Sequence, residues 1–252
     1  MKISRLNFIR TLAGTVAAAA VSSFTSSAAF ANKVVEAGKK AVRKNWWGMG
    51  IDIDKCIGCG RCADACKNEN SVSREPFYFR TWIERYILRK NGKAEVESPN
   101  GGIDGFTPPS SPKTIRKSFF VPKICNHCEE SPCVQVCPVG ASFITADGVV
   151  LVDQKYCIGC RYCIQACPYG CRYFNTKLGV AEKCTLCYHR LKRGKRPACV
   201  EVCPTGARIF GDLDDAASPL NKFIDTHHIG VLKPYLGTRP KVRYSGLEEE
   251  VR

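Results

Sequence analysis

Sixteen of the seventeen cysteines in this 252-residue chain fall into four sets of four. The first set is Cys56-x2-Cys59-x2-Cys62-x3-Cys66. The second is Cys125-x2-Cys128-x4-Cys133-x3-Cys137-Pro138. The third is Cys157-x2-Cys160-x2-Cys163-x3-Cys167-Pro168, and the fourth is Cys184-x2-Cys187-x11-Cys199-x3-Cys203-Pro204. Only Cys171 stands outside them. Three thiols at x2 intervals on one short loop point inward at a common centre. The run C-x2-C-x2-C-x3-C-P is the ligand pattern of iron–sulfur cubanes, in which three close thiolates hold one cluster and the fourth ligates its neighbour. The proline after the fourth cysteine fixes the backbone as it leaves the ligand.

Other thiol chemistries fit less well. Disulfide frameworks link distant segments and do not repeat this run. A tetrahedral zinc site takes two C-x2-4-C knuckles and leaves the third cysteine of sets one and three unexplained. No C-x-x-C is followed by His, which excludes covalent c-type haem. His127 lies between two ligands of set two and reads as a solvated loop residue, the alternative being a hydrogen-bond donor near a cluster. Cys171 stands where sets two and four have Ala141 and Ala207, and reads as a small buried thiol. There is no P-loop, dinucleotide fingerprint or G-x-S-x-G, and the four histidines are scattered, so the chain has no catalytic site of its own.

The elements that must position these thiols repeat as well. Cys133–Ala141 matches Cys199–Ala207, and the stretch around Cys56–Cys62 resembles that around Cys157–Cys163, giving an order A-B-A′-B′. The spacer between Cys66 and Cys125 is far longer than that between Cys167 and Cys184, so an insertion is placed at residues 76–117. Within it, residues 77–88 read as a strand, Asn91-Gly92 as a type I′ turn, 94–97 as the returning strand, and 98–113 as a loop whose aromatics pack over the core. Residues 118–122, 148–153 and 208–211 read as further short strands, and the residues after each fourth cysteine as the start of a short helix or turn. The fold class is α+β, loops wrapped around metal, with stability largely dependent on that metal.

Residues 1–31 read as an address rather than as fold. Lys2, Arg5 and Arg10 form a positive region, a mildly apolar Ala/Ser-rich run follows, and Ala29-Phe30-Ala31 is a small-x-small cleavage site. Ser22, Ser23, Thr25, Ser26 and Ser27 interrupt the run too often for a membrane anchor, and no other segment could span a bilayer. Ser4-Arg5-Leu6-Asn7-Phe8-Ile9-Arg10 looks like a twin-arginine export motif with Leu6 in place of the second arginine.

The four motifs, their order and the x11 gap between Cys187 and Cys199 resemble the four-cluster iron–sulfur subunits of the dimethyl sulfoxide reductase superfamily, of the polysulfide-, tetrathionate- and nitrite-linked type. The resemblance covers residues 50–210, and residues 232–242 look like the tail of the polysulfide-reductase type. It implies a pairing of motifs, set one with set four and set two with set three. The first cluster then takes Cys56, Cys59, Cys62 and Cys203, and the second Cys125, Cys128, Cys133 and Cys167. The third takes Cys157, Cys160, Cys163 and Cys137, and the fourth Cys184, Cys187, Cys199 and Cys66. Some relatives have Trp at the position of Cys163 and bind a [3Fe–4S] centre; with Cys163 present, four [4Fe–4S] clusters are implied. The chain departs from the pattern at Lys67, where the other sets have proline.

The implied architecture is two pseudo-symmetric bacterial-type 2[4Fe–4S] ferredoxin domains with an inserted β-hairpin and loop and an extended C-terminal tail. Domain one comprises residues 45–75 and 175–211, domain two 118–174, and the tail 212–252. The implied role is electron transfer between a polytopic quinone-handling membrane subunit and either a molybdopterin catalytic subunit or a multihaem cytochrome, in the periplasm. The alternative on the same motifs is a free diffusible periplasmic ferredoxin.

The charge fits this reading. The chain carries a formal +15, which becomes +12 without the signal. Four oxidised clusters at about −2 each would bring the holoprotein near +4. The basic run 189–196 sits in the loop between Cys187 and Cys199, beside anionic centres, so no nucleic-acid partner is expected.

Overall fold

The structure, a computed structural model, describes residues 45–75 and 78–251. The export segment expected at 1–31 and the first residue of the expected hairpin strand, Phe77, lie outside the described residues. No helix among the described residues is long and apolar enough to cross a membrane.

The core is a four-stranded sheet. Strand β1 (Trp47–Asp52) alternates side chain and glycine: Met49 and Ile51 are fully buried on one face, while Gly48 and Gly50 leave the other face bare. Leu213, Leu220 and Phe223 fill that bare face so closely that a Cβ at Gly50 would come within 2.7 Å of Phe223. The other strands of this sheet come from the end of the chain, β9 (Arg208–Asp212) antiparallel to β1 and β11 (Val242–Ser245) parallel to it. β10 (Ile229–Gly230) pairs on β11, and helix α6 (Pro219–Thr226), capped by the Ser218 hydroxyl accepting from the Asn221 amide, packs on β9 and β1. Residues 212–252 are therefore not an extended tail. Tyr244, Leu220 and Val242 are core residues, and the chain end completes the sheet that starts it.

A second sheet, in the order β3-β2-β4, is built from β2 (Thr81–Arg89), β3 (Ala94–Glu97) and β4 (Ile115–Ile124). The β2–β3 turn is not type I′. Its loop has three residues closed by Arg89 N–H to Lys93 C=O (2.8 Å), and only Gly92 takes a left-handed φ (83°). That is a type I turn with a glycine bulge, which needs positive φ at one position instead of two. Residues 98–113 form the expected loop, with two 3-10 turns, and Phe106 packs on Phe120 with ring centroids 5.0 Å apart. Ile83, Tyr86, Val121 and Ile124 join Met49, Ile51 and Tyr244 in one apolar core.

The remaining elements are short. Two-stranded ribbons β5 (Ser142–Ile144) with β6 (Val150–Val152), and β7 (Arg172–Asn175) with β8 (Val180–Lys183), connect consecutive cysteine sets. In sets two, three and four a one-turn helix falls before the fourth cysteine and the expected turn follows it, whereas in set one a single helix runs through the fourth cysteine. α1 (Arg61–Glu69) carries Cys62 and Cys66. α2 (Pro132–Gln135) carries Cys133, α3 (Tyr162–Gln165) Cys163, and α5 (Ala198–Glu201) Cys199, while α4 (Tyr188–Leu191) follows Cys187. A single turn at the third cysteine spaces it from the fourth, which lies at the helix end.

Candidate metal centres

The thiols assemble across the sets. Cys56, Cys59, Cys62 and Cys203 line one cavity. Cys66, Cys184, Cys187 and Cys199 line another. Cys128 lies in the field of Cys125, Cys133 and Cys167, and Cys163 in that of Cys157 and Cys160. Cys137 follows α2, which packs against α3 and its Cys163. One helix, α1, thus serves two cavities, through Cys62 and Cys66. Among the described residues no three side chains close on a single-ion site. The thiols converge on shared spaces instead.

Electrostatics fit iron in those spaces. Burial, reinforced by Cys199 and Cys187, pushes the Cys66 thiol up to about 12. Burial likewise carries Cys128 to about 12 and Cys56 and Cys199 to about 11. Sulfurs so crowded resist ionising unaided, and a metal supplies the missing positive charge. Backbone and side-chain donors already point at them: Leu186 N–H to Cys184 Sγ (3.2 Å), Ser142 N–H to Cys137 Sγ (3.4 Å) and Ala181 N–H to Cys157 Sγ (3.4 Å). The Asn70 amide lies 3.6 Å from both Cys66 and Cys187 sulfurs.

The groups also have an order. Cys184 lies in the field of both Cys66 and Cys125, so the Cys66 and Cys125 groups are neighbours. The two outer groups reach the surface, where Cys59 and Cys160 are exposed and Ile57 and Ile158 stand 58% and 65% exposed beside them.

His127 is not solvated. It is buried, its Nδ1 accepts from the Val150 amide (3.1 Å), its Nε2 has no hydrogen-bond partner, and burial holds its pKa well below the usual imidazole value. Cys171 is the small buried thiol expected, donating to the Ile124 carbonyl (3.2 Å). Its hydrogen bond to Cys167 is the main reason that Cys167 drops to about 6. Lys67 is buried too: Nζ donates to the Ser73 (3.0 Å) and Tyr78 (2.6 Å) carbonyls and lies 4.1 Å from the Phe79 ring centre. It pins the chain leaving α1. The basic loop is partly neutralised within the molecule, Arg190 pairing with Glu69 (2.7 Å) and Glu201.

Two residues escaped the sequence reading. Arg172 and Arg208 are buried among the thiols, Arg172 Nη2 donating to Cys133 Sγ (2.9 Å) and Ser142 Oγ (2.7 Å), and Arg208 Nη2 to Thr81 Oγ1 (2.7 Å). The signal was present. Cys167-Pro-Tyr-Gly-Cys-Arg172 and Cys203-Pro-Thr-Gly-Ala-Arg208 place an arginine five residues after the last cysteine of sets three and four alone.

Residues 55–141 and, overlapping them, residues 116–213 each match a 4Fe-4S dicluster domain, which is consistent with four [4Fe–4S] clusters on sixteen set cysteines. The sequence is 42% identical to a tetrathionate reductase subunit of Salmonella typhimurium, over 81% of this chain and 73% of that protein. It is 37% identical to a polysulfide reductase chain of Wolinella succinogenes, over 78% of this chain and 92% of the relative. It is also 33% identical to an Hdr-like menaquinol oxidoreductase iron–sulfur subunit 1 of Archaeoglobus fulgidus, over 98% of this chain and all of the relative. Subunits of this kind transfer electrons within multisubunit reductases and are not catalytic themselves. On cavities walled by thiols from separated sets, and on these relatives, the chain itself belongs to the ferredoxin-type iron–sulfur subunits of the dimethyl sulfoxide reductase superfamily.

Proposed function

We propose that the chain is a four-cluster electron wire between two partner subunits. When bound, each [4Fe–4S] cluster supplies a one-electron carrier. The sixteen set cysteines hold them in the pairing described, and the order along the wire is the Cys56 group, the Cys66 group, the Cys125 group and the Cys157 group. The single observation that carries this reading is that Cys203 joins the set-one cavity while Cys66 joins the set-four cavity.

The wire divides into two pseudo-symmetric domains, the first formed from residues 45–75 and 175–211 and the second from 118–174, with 76–117 inserted as the hairpin sheet. The exposed thiols Cys59 and Cys160, one in each outer group, are the two doors. One faces a quinone-handling membrane subunit; the other faces a molybdopterin catalytic subunit or a multihaem cytochrome. Residues 1–31 direct export, which places the wire in the periplasm, held at the membrane by its partner.

The test is chemical analysis of the anaerobically purified protein. About sixteen irons per chain and four reducible signals by electron paramagnetic resonance are expected. A value near eight, zinc in place of iron, or a monomer that binds no membrane subunit would overturn the proposal.

A further inference from the structure

The four sets do not use cations evenly. Arg172 and Arg208 occupy the same position in the repeat, five residues past the last cysteine of their set, at the first residue of β7 and β9 respectively. Set two has Ser142 at that position and set one Ser71. Both arginines are buried, at 5% and 3% exposure.

Each lies between two different thiol groups. Arg172 donates to Cys133 of the Cys125 group (2.9 Å) and also lies in the field of Cys163 of the Cys157 group. Its Nε and Nη1 are buried without a hydrogen-bond partner. Arg208 lines the Cys56-group cavity and lies in the field of Cys62 and Cys56 of that group and of Cys199 of the Cys66 group. Its bond to Thr81 Oγ1 (2.7 Å) fixes the guanidinium from β2. A buried cation with orphaned donors is costly unless an anion faces it. A guanidinium, planar and always charged, can address two acceptors at once where an ammonium addresses one.

We propose that Arg172 and Arg208 are matched charge anchors, one per cluster pair, each raising the reduction potentials of the two clusters that it separates. This rests on the four-cluster reading above. A fixed cation favours the more negative, reduced state of both neighbours and so holds a transferred electron inside the pair. One electron enters from the preceding carrier and one leaves to the next. No bond is made or broken, and no proton moves, because the guanidinium stays charged at any working pH.

The test is potentiometric titration of the holoprotein, read by electron paramagnetic resonance, with iron content measured on the same samples. Arg172→Gln should lower two of the four midpoints by about tenfold each in the reduction equilibrium, about 59 mV for one electron. Arg208→Gln should lower the other two. Arg172→Lys and Arg208→Lys, which keep the charge, should retain iron and recover most of the shift. Unchanged midpoints at full iron content overturn the proposal, as does a uniform shift of all four. If the Gln variants lose iron, the Lys variants decide: retention with near-native midpoints supports a charge role, and equal loss shows that the arginines only shape the thiol cage. Wild-type protein holding about sixteen irons preserves the wire reading whichever way the arginine variants fall.

Discussion

Cys62 and Cys66 are four residues apart on α1, and serine at each should remove a different cluster. At 1.5 Å rise and 3.6 residues per turn, positions i and i+4 lie about 6 Å apart along one face of a helix. Here that face looks onto two cavities, Cys62 lining the one with Cys203 and Cys66 the one with Cys199. Each variant loses one thiolate from one site, so each should lose about four of about sixteen irons, a quarter of the total. The signals lost should differ. Cys203→Ser should remove the signal that Cys62→Ser removes, although Cys203 is far away in sequence, and Cys199→Ser should match Cys66→Ser. The assay is iron content together with low-temperature electron paramagnetic resonance of the dithionite-reduced protein. If Cys62→Ser and Cys66→Ser remove the same signal, consecutive cysteines share a cluster and the nested pairing is wrong.

Three further outcomes follow from the packing. Gly60→Ala sets a Cβ 2.3 Å from the Gly102 carbonyl oxygen at a φ of +72°, while Gly105→Ala at φ +77° meets nothing within 4 Å. Both carry about 1–2 kcal/mol of left-handed strain, so thermal unfolding should show Gly60→Ala clearly the more damaging; equal effects would remove the steric argument. Arg80 and Glu182 form a buried pair (3.3 Å, 10% and 8% exposed), and Arg80→Met should cost about 3 kcal/mol in denaturant unfolding. The low end of the usual range applies because Glu182 keeps donors in Tyr173 (2.7 Å) and Gln154 (2.7 Å), and an unchanged midpoint would contradict it. Anaerobic chelation should abolish the circular-dichroism contribution of the one-turn helices α2, α3 and α5, which are too short to persist alone, and iron and sulfide should restore it. An unchanged spectrum at zero iron would refute that dependence.

The grouping of the thiols was legible because their spacing is local chemistry: three thiols on one loop need no tertiary knowledge. The short strands at 118–122, 148–153 and 208–211 were legible for the same reason and all appear within observed strands or overlap them. What failed was long-range or stereochemical. Nothing local in residues 242–245 says that they pair in parallel with β1, nearly two hundred residues earlier, so a core strand read as tail. Asn91-Gly92 carries the composition of a type I′ turn, but the loop length set by the β2–β3 register selects another. His127 is polar and lies between two ligands, and only its place under the Val150 amide buries it.

The surplus positive charge was explained in the sequence by anionic clusters, and the structure sharpens which charges carry that explanation. Arg85 and Arg89 are buried on β2 but pair with Glu97 and Glu95 (2.7 Å for the latter), so they serve the hairpin sheet and leave the thiols uncompensated. The basic loop spends Arg190 on Glu69 and Glu201. Four further buried cations behave as Lys67 does. Lys183 donates to the Val150 and Cys184 carbonyls, Lys241 to the Gly148 carbonyl, Arg172 to a thiol and a hydroxyl, and Arg208 to a threonine. Their hydrogen bonds go to neutral acceptors or sulfur, and all four are at most 5% exposed. Burying a cation without a carboxylate is expensive, and it is tolerated where a second anion enters the same space. The thiol groups are that space: Arg172 and Arg208 stand between them, Lys183 precedes Cys184, and Lys241 lies in the field of Glu129 and, after it, of Cys125 and Cys128. The compensation is therefore concentrated in a few buried side chains placed against the thiol groups, and the excess lysine and arginine elsewhere on the surface remains for a partner to meet.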